Sequence, residues 1–280
     1  SVPTKHDAGN VEISDLGSAL KSIANGGGRI GLWSSDLQIL NGAQISLLNI
    51  GASDASPDNG LHSVSGRTFI DSGNAYSAVS SYAGIGAGPS IYMKNYGGLV
   101  INGNARIESI ATESGDGGDI HINGSSLAMK GFSPEIRPTI SSDTVIGAGR
   151  GGDISINESG KVELLDYSKV LSETSLGSGL SGNILVSTGS LKIAGHDPLY
   201  SSGIISRSAF SSSGAGAIFV KSQGAVNIAG TSDISNECLH CSGDSLDINL
   251  IAGSVRINKS FDTRDANTSG ILSTTSGSGK

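Results

Sequence analysis

The feature that most constrains this chain is self-similarity at a nearly fixed period, the signature of a stacked repeat architecture. Aligned on glycine, the segments GGGRIGL (26–32), GAGPSIYM (86–93), GDGGDIHI (115–122), GRGGDISI (149–156), GLSGNILV (179–186), GAGAIFV (214–220) and SGDSLDI (242–248) restate one another, and AGNVEI (8–13) reads as an earlier copy. After each glycine turn comes an apolar pair at i and i+2, followed seven to nine residues later by a second pair. Examples are Ile120/Ile122 then Leu127/Met129, Ile154/Ile156 then Val162/Leu164, and Leu246/Ile248 then Val255/Ile257. A third apolar site closes each unit at Ile45, Ile107, Ile140, Val170, Ile205, Ile234 and Leu272. Alternation of period two means that each short strand buries one face.

Three short strands are too few to fold alone. Units stepping by 34, 30, 34 and 28 residues along Ile120, Ile154, Ile184, Ile218 and Leu246 must stack, each strand pairing with its equivalent in the next unit. The expected fold is therefore all-β: a parallel β-helix of roughly eight to nine coils, rising about 4.8 Å each. Composition agrees, since 42 Gly, 15% charged and 4% aromatic residues suit tight turns between strands better than helices. Gly and Asn are expected at the corners, where positive φ is often needed. Residues 1–280 read as a single repeat domain, with a degenerate or elaborated coil over 47–89 near Phe69 and Ile70. Neither end carries a recognisable polar cap, so an internal section of a longer array is expected.

Several classes fall away on charge and hydropathy. The net charge is −7 and the 18 Lys and Arg are scattered, so no basic stripe for nucleic acid forms. No apolar run approaches the roughly 20 residues of a membrane helix. The stretch Gly147-Ala148-Gly149-Arg150-Gly151-Gly152 has the spacing of a pyrophosphate cradle, but that motif must open a helix. Here the glycines lead into Asp153-Ile154-Ser155-Ile156, which alternates as a strand, so the motif is one more repeat turn.

The run GxGGDIxI, then LxI, then Ile-Ser, resembles the repeats of two-partner-secretion exoproteins, the filamentous-haemagglutinin-like group of Gram-negative bacteria and cyanobacteria. The resemblance covers most of residues 86–273 and, less closely, 8–85. It implies a right-handed β-helix exported unfolded through an outer-membrane transporter partner to the cell surface or medium, acting in adhesion, aggregation or biofilm attachment.

Candidate contacts lie at one corner. From second pair to third site the gap is six residues in the coils ending at Ile107, Val170 and Ile234, but 11, 12 and 15 in those ending at Ile140, Ile205 and Leu272. The insertions should project from one edge about 10 Å apart. They carry Phe132, Arg137, His196, Asp197, Tyr200, Phe261, Asp262, Arg264 and Asp265, an aromatic and charged set suited to host or matrix glycans or surface proteins. Ordinary surface loops are the plainer alternative.

Other motifs are weaker. Asp119 and Asp153 follow glycines as in calcium-binding rolls, but those need a nine-residue period, and Ser90, Asn183 and Ala217 take the Asp place in other units. Turn capping explains them, and no metal or cofactor is expected. Cys238 and Cys241 supply too few ligands for zinc, and in an exported chain read as a disulfide pinning the loop after Ile234. Asn123, Asn157, Asn258 and Asn267 head N-x-S/T sequons.

Parallel β-helices also carry enzymes, with acid and base residues clustered on neighbouring coils. The outward positions Ser155, Glu163, Lys192, Phe219, Asn227 and Arg256 form no such cluster. A non-enzymatic adhesive rod is the preferred expectation; the alternative is a polysaccharide-binding or polysaccharide-degrading β-helix, a lyase or hydrolase. Exposed strand edges at the solenoid ends also predict end-to-end self-association.

Overall fold

The structure is a computed structural model that describes residues 9–56, 58–72, 75–197, 199–258 and 269–277. It is a right-handed parallel β-helix of about eight turns. The first coil holds β1 (Val11–Ile13) and β2 (Ala19–Ala24). The next two hold β3 (Arg29–Leu40) with β4 (Gln44–Asn49), and β5 (Gly60–Asp71) with β6 (Ala78–Ala83). Then come β7 (Ser90–Asn95), β8 (Leu99–Asn102) and β9 (Arg106–Ala111), followed by β10 (Ile120–Gly124), β11 (Leu127–Lys130) and β12 (Thr139–Thr144). The pairs β13 (Ile154–Leu165) with β14 (Lys169–Ser175), and β15 (Ile184–Gly195) with β16 (Ser202–Ala209), make two more coils. The last two contain β17 (Ile218–Ser222), β18 (Ala225–Gly230) and β19 (Ser232–Cys241), then β20 (Ile248–Ile251), β21 (Ser254–Asn258) and β22 (Gly270–Gly277).

Every named pairing is parallel and joins equivalent strands of adjacent coils, as in Ile120↔Ile154↔Ile184↔Ile218. The first and second apolar pairs belong to one 13-stranded sheet, and in β3, β5, β13 and β15 they share one continuous strand. The third sites line a separate nine-stranded sheet, β2-β4-β6-β9-β12-β14-β16-β19-β22. Between the sheets stacks one aliphatic core, from Leu37 and Ile39 to Val226 and Ile228, all fully buried. Beside it in the second sheet runs an inward polar column, Ser81, Ser109, Ser142, Ser172, Ser206 and Asn236. These hydroxyls fasten the strand to the next glycine turn: Gly118 N donates to Ser109 Oγ at 2.7 Å, and Gly182 N to Ser172 Oγ at 2.7 Å.

The register corrects four assignments. Val170 pairs with Ile204, and Ile234 with Ile271, so these residues, not Ile205 and Leu272, occupy the third site. Two adjacent apolar residues in each strand make period two ambiguous by one residue. Ile248 and Leu250 follow Ile218 and Val220, displacing Leu246, which is exposed; the unit step is 30 rather than 28. Val11–Ile13 pairs with Leu37–Ile39, so AGNVEI is a second-pair strand. Finally, β19 runs on to Cys241, so the cysteines end a strand instead of sitting in a loop after Ile234.

In the segment 47–89, β5 aligns Leu61, Ser63, Thr68 and Ile70 with Ile30, Leu32, Leu37 and Ile39. Two of its four inward core positions are polar. Many repeat glycines also serve a purpose other than positive φ. Gly147 does have φ 111°, but Gly152 is demanded by crowding, since a β-carbon there would run into the Gly118 carbonyl of the preceding coil. The GAGRGG turn opens not into a helix but into β13.

Candidate functional site

With the register fixed, the corner between the two sheets takes seven residues in the first coil, from Ile13 to Leu20, and alternates from the second coil onward. From Ile39 to Ile45 the step is six residues, from Ile70 to Val79 nine, from Ile101 to Ile107 six, and from Met129 to Ile140 eleven. Leu164 to Val170 is again six, Ile193 to Ile204 eleven, and Ile228 to Ile234 six. Long corners therefore recur every second coil on one edge, about 10 Å apart. The corner carrying Tyr76 is their unforeseen first member.

The short corners fill the gaps between the long ones. Asp166 and Tyr167 both have positive φ (45° and 68°), a conformation that costs non-glycine residues energy and needs surrounding support. That support comes from both neighbours: Gly131 N donates to Asp166 O at 2.9 Å, and the Tyr167 hydroxyl donates to Asp197 Oδ2 at 3.0 Å. His196 Nδ1 lies 2.6 Å from Asp166 Oδ1, with its ring edge-on to Tyr167. The Leu199 amide donates to Asp197 Oδ1 at 2.8 Å, which holds that carboxyl below its ordinary range. Phe132 and Tyr200 stand outward, 55% and 44% exposed. Of the expected set, His196 and Asp197 are thus tied to the neighbouring corner, Phe132 and Tyr200 project outward, and Arg137 is half-buried on the same edge. Phe261, Asp262, Arg264, Asp265 and Asn267 lie outside the described residues.

These corners lead directly onto the outer face of the second sheet, where the sequence reading missed a charged layer. Three residues after each third site, outward positions align as Tyr82, Ile110, Asp143, Glu173, Arg207 and Glu237 on successive strands. A parallel row runs Arg106, Thr139, Lys169, Gly203 and Asp233. The signal was readable in ISSD, VLSE, IISR and ISNE, but only once Ile204 replaces Ile205 does Arg207 fall into line. Arg207 Nε donates to Glu237 Oε2 at 2.6 Å, and Nη1 lies 3.5 Å from Glu173 Oε2. Burial pulls the Arg207 guanidinium down, but these carboxylates outweigh it and its pKa is raised.

Glu108 is 2% exposed and is satisfied by hydroxyls: Tyr76 donates to it, as do Tyr82 at 2.8 Å and Ser80 at 3.1 Å. Burial, then the Glu108 charge, raises both tyrosines. Asp143 is pushed up to about 7, first by burial and then by Glu173 and Glu108, despite a hydrogen bond from Ser141. Asp233 also rises to about 7 through burial and Glu237. Arg137 is lowered by burial and by Arg106 and Arg207, and Lys169 by burial and by Arg137 and Arg207. The layer packs charges of both signs under the long corners, and its two raised aspartates change protonation near neutrality.

Cys238 and Cys241 are joined, with Cα atoms 5.5 Å apart, at the end of β19; both are buried. Asn123 and Asn157 are exposed neighbours on the first sheet, and Asn258 ends β21. Among the described residues no group of three or more His, Cys, Asp or Glu could hold a metal ion.

Compared with protein-family models, with curated proteins and with solved structures, the chain gave no match in any of the three.

Proposed function

We propose that this protein is an adhesive rod of the bacterial surface or medium, exported by an outer-membrane transporter partner as its resemblance to two-partner-secretion exoproteins implies. The aliphatic stack sets its shape, and ligand contacts lie on the edge where long corners alternate with short ones. The observation that carries this reading is the alternation itself. Core packing requires nothing at a corner beyond six residues, yet every second coil spends more, and the added residues stay in phase on one edge. That edge presents Phe132, Arg137, His196 and Tyr200 above a half-buried charged sheet, a surface suited to glycans or to surface proteins of a host or matrix.

The test is a polysaccharide and host-glycan panel read for binding and for released oligosaccharide, with the native chain beside a variant shortened at 131–139 and 194–203. Binding without products is expected, with at least one ligand of the panel lost in the variant. Undiminished binding of every ligand by the variant would overturn the assignment to this edge.

One observation favours a catalytic reading as an alternative. Asp143 titrates near 7 and pairs in register with Glu173 on the next strand, an arrangement able to divide acid and base roles at a glycosidic bond. Product release abolished by Asp143→Asn would favour a β-helical lyase or hydrolase over a rod.

A further inference from the structure

A second surface lies away from the corner edge, where β7, β10, β13, β15 and β17 bend toward the second half of the first sheet. An open groove of about 440 Å³ crosses five coils there. Its walls are built from columns in strict register: Lys94, Asn123, Asn157 and Ser187 stand side by side on consecutive strands. Ser125, Ser159, Thr188 and Gln223 complete it, and Tyr96 closes one end with the Lys94 ammonium 4.9 Å from its ring centre. From Lys94 to Gln223 the groove rises four coils, about 19 Å along the axis. Beside that end a smaller hollow of about 120 Å³ shares Lys94 and Asn123 and reaches a stack of rings, His62 on Tyr92 at 4.9 Å and Tyr92 on His121 at 4.8 Å.

Two buried groups lining the groove have no hydrogen-bond partner. Glu158 is 1% exposed, and neither of its carboxyl oxygens is bonded. Asn95 is fully buried; its Oδ1 accepts from Ser65 and Thr68, while its Nδ2 is unpartnered. They occupy the same column on either side of Gly124, and Glu158 Oε2 stands beside the place a Gly124 side chain would take. Both side chains alternate with the outward Lys94 and Asn157 and so form the floor beneath the groove, while the amides and hydroxyls above them are the groups a ligand meets.

We propose that this groove binds a neutral, hydroxyl-rich oligosaccharide lying along the solenoid axis. Side-chain amides and hydroxyls are the groups that address sugar hydroxyls, each able to donate and accept. The lining offers one cation, Lys94, on a chain of net charge −7, which disfavours a polyanion. It offers one carboxyl group, too few for a metal. The strands forming its walls are paired with neighbours on both sides, so an extended peptide finds no edge to join. The site is separate from the corner edge, and the two stand or fall independently.

The test is calorimetric titration of the whole chain with neutral tetra- and hexasaccharides of the cello, xylo, manno and galacto series. The comparison set is Asn157→Ala/Gln223→Ala, the groove-filling Ser159→Trp, and the variant shortened at 131–139 and 194–203, each checked by thermal melting. Expected is binding by the native chain and the shortened variant, weakened about tenfold or more in the two groove variants at unchanged Tm. No binding by any sugar in the set would overturn the proposal, as would full affinity in Ser159→Trp or loss only in the shortened variant. Mass spectrometry of protein from its native source showing covalent glycan on Asn123 or Asn157 would also overturn it, because the groove would then be an attachment surface.

Discussion

Glu158 Oε2 lies directly over Gly124 of the preceding coil, at 2.9 Å from the point where a β-carbon of that residue would sit. The carboxyl reaches this place with no partner, and burial alone pushes its pKa from 4.5 to about 7. An acid whose folded pKa is raised contributes stability below its unfolded pKa and loses it as pH climbs toward the folded value. Between pH 4.5 and 7 the loss from Glu158 comes to about 3 kcal/mol, with Asp143 and Asp233 acting in the same direction. Glu158→Gln should therefore melt higher than the native chain at pH 8 and show a flatter dependence of Tm on pH. An unchanged slope between pH 4.5 and 7 would contradict the assignment.

Arg207 stands between Glu173 and Glu237, and all three side chains are about a quarter exposed or less. Arg207→Ala leaves two carboxylates facing one another across a half-buried row, at a cost of about 2 kcal/mol after allowing for partial solvation. Adding Glu173→Gln and Glu237→Gln should recover most of that loss. Urea denaturation of the native chain, Arg207→Ala, Glu173→Gln/Glu237→Gln and the triple variant measures the coupling, and additive losses would show that the three charges do not act together.

Gly152→Ala should be among the most damaging single-methyl changes in the chain. Its β-carbon would meet the Gly118 carbonyl, so the coil must separate from its neighbour. The expected cost is about 3 kcal/mol or more, from strain and lost ladder bonds. Ala substitution at Gly9, where no atom lies within 4 Å, is the control, expected within about 0.5 kcal/mol.

Reducing the Cys238–Cys241 bond should cost little. The partners are three positions apart, with two residues between them, so loop closure contributes about 2 kcal/mol at most. A small downward shift in Tm under reductant, with cooperative unfolding retained, is expected. Collapse of the terminal coils on reduction would mean that the bond organises more than its own turn.

The architecture was legible because the core obeys a simple rule: Ile, Val and Leu at i and i+2, repeated coil after coil, leave few folds that bury them. Register was harder where two apolar residues adjoin. Ile204 and Ile205 are both buried, one in the core and one on the opposite face of its strand, so hydrophobicity could not choose between them. The charged layer was hidden for the same reason, since Arg207 joins the row only after that choice is made. Glu158 was hidden for a different one: its meaning depends on a glycine 34 residues earlier that becomes its neighbour only through stacking.

Because corner length alternates while the core does not, the molecule has two periods, one coil inside and two outside. Loss or duplication of a single coil would keep every aliphatic contact in register, yet would bring two long corners next to each other or two short ones. Viable insertions and deletions in such a chain should then come in steps of two coils, making the double coil the unit in which the rod can lengthen.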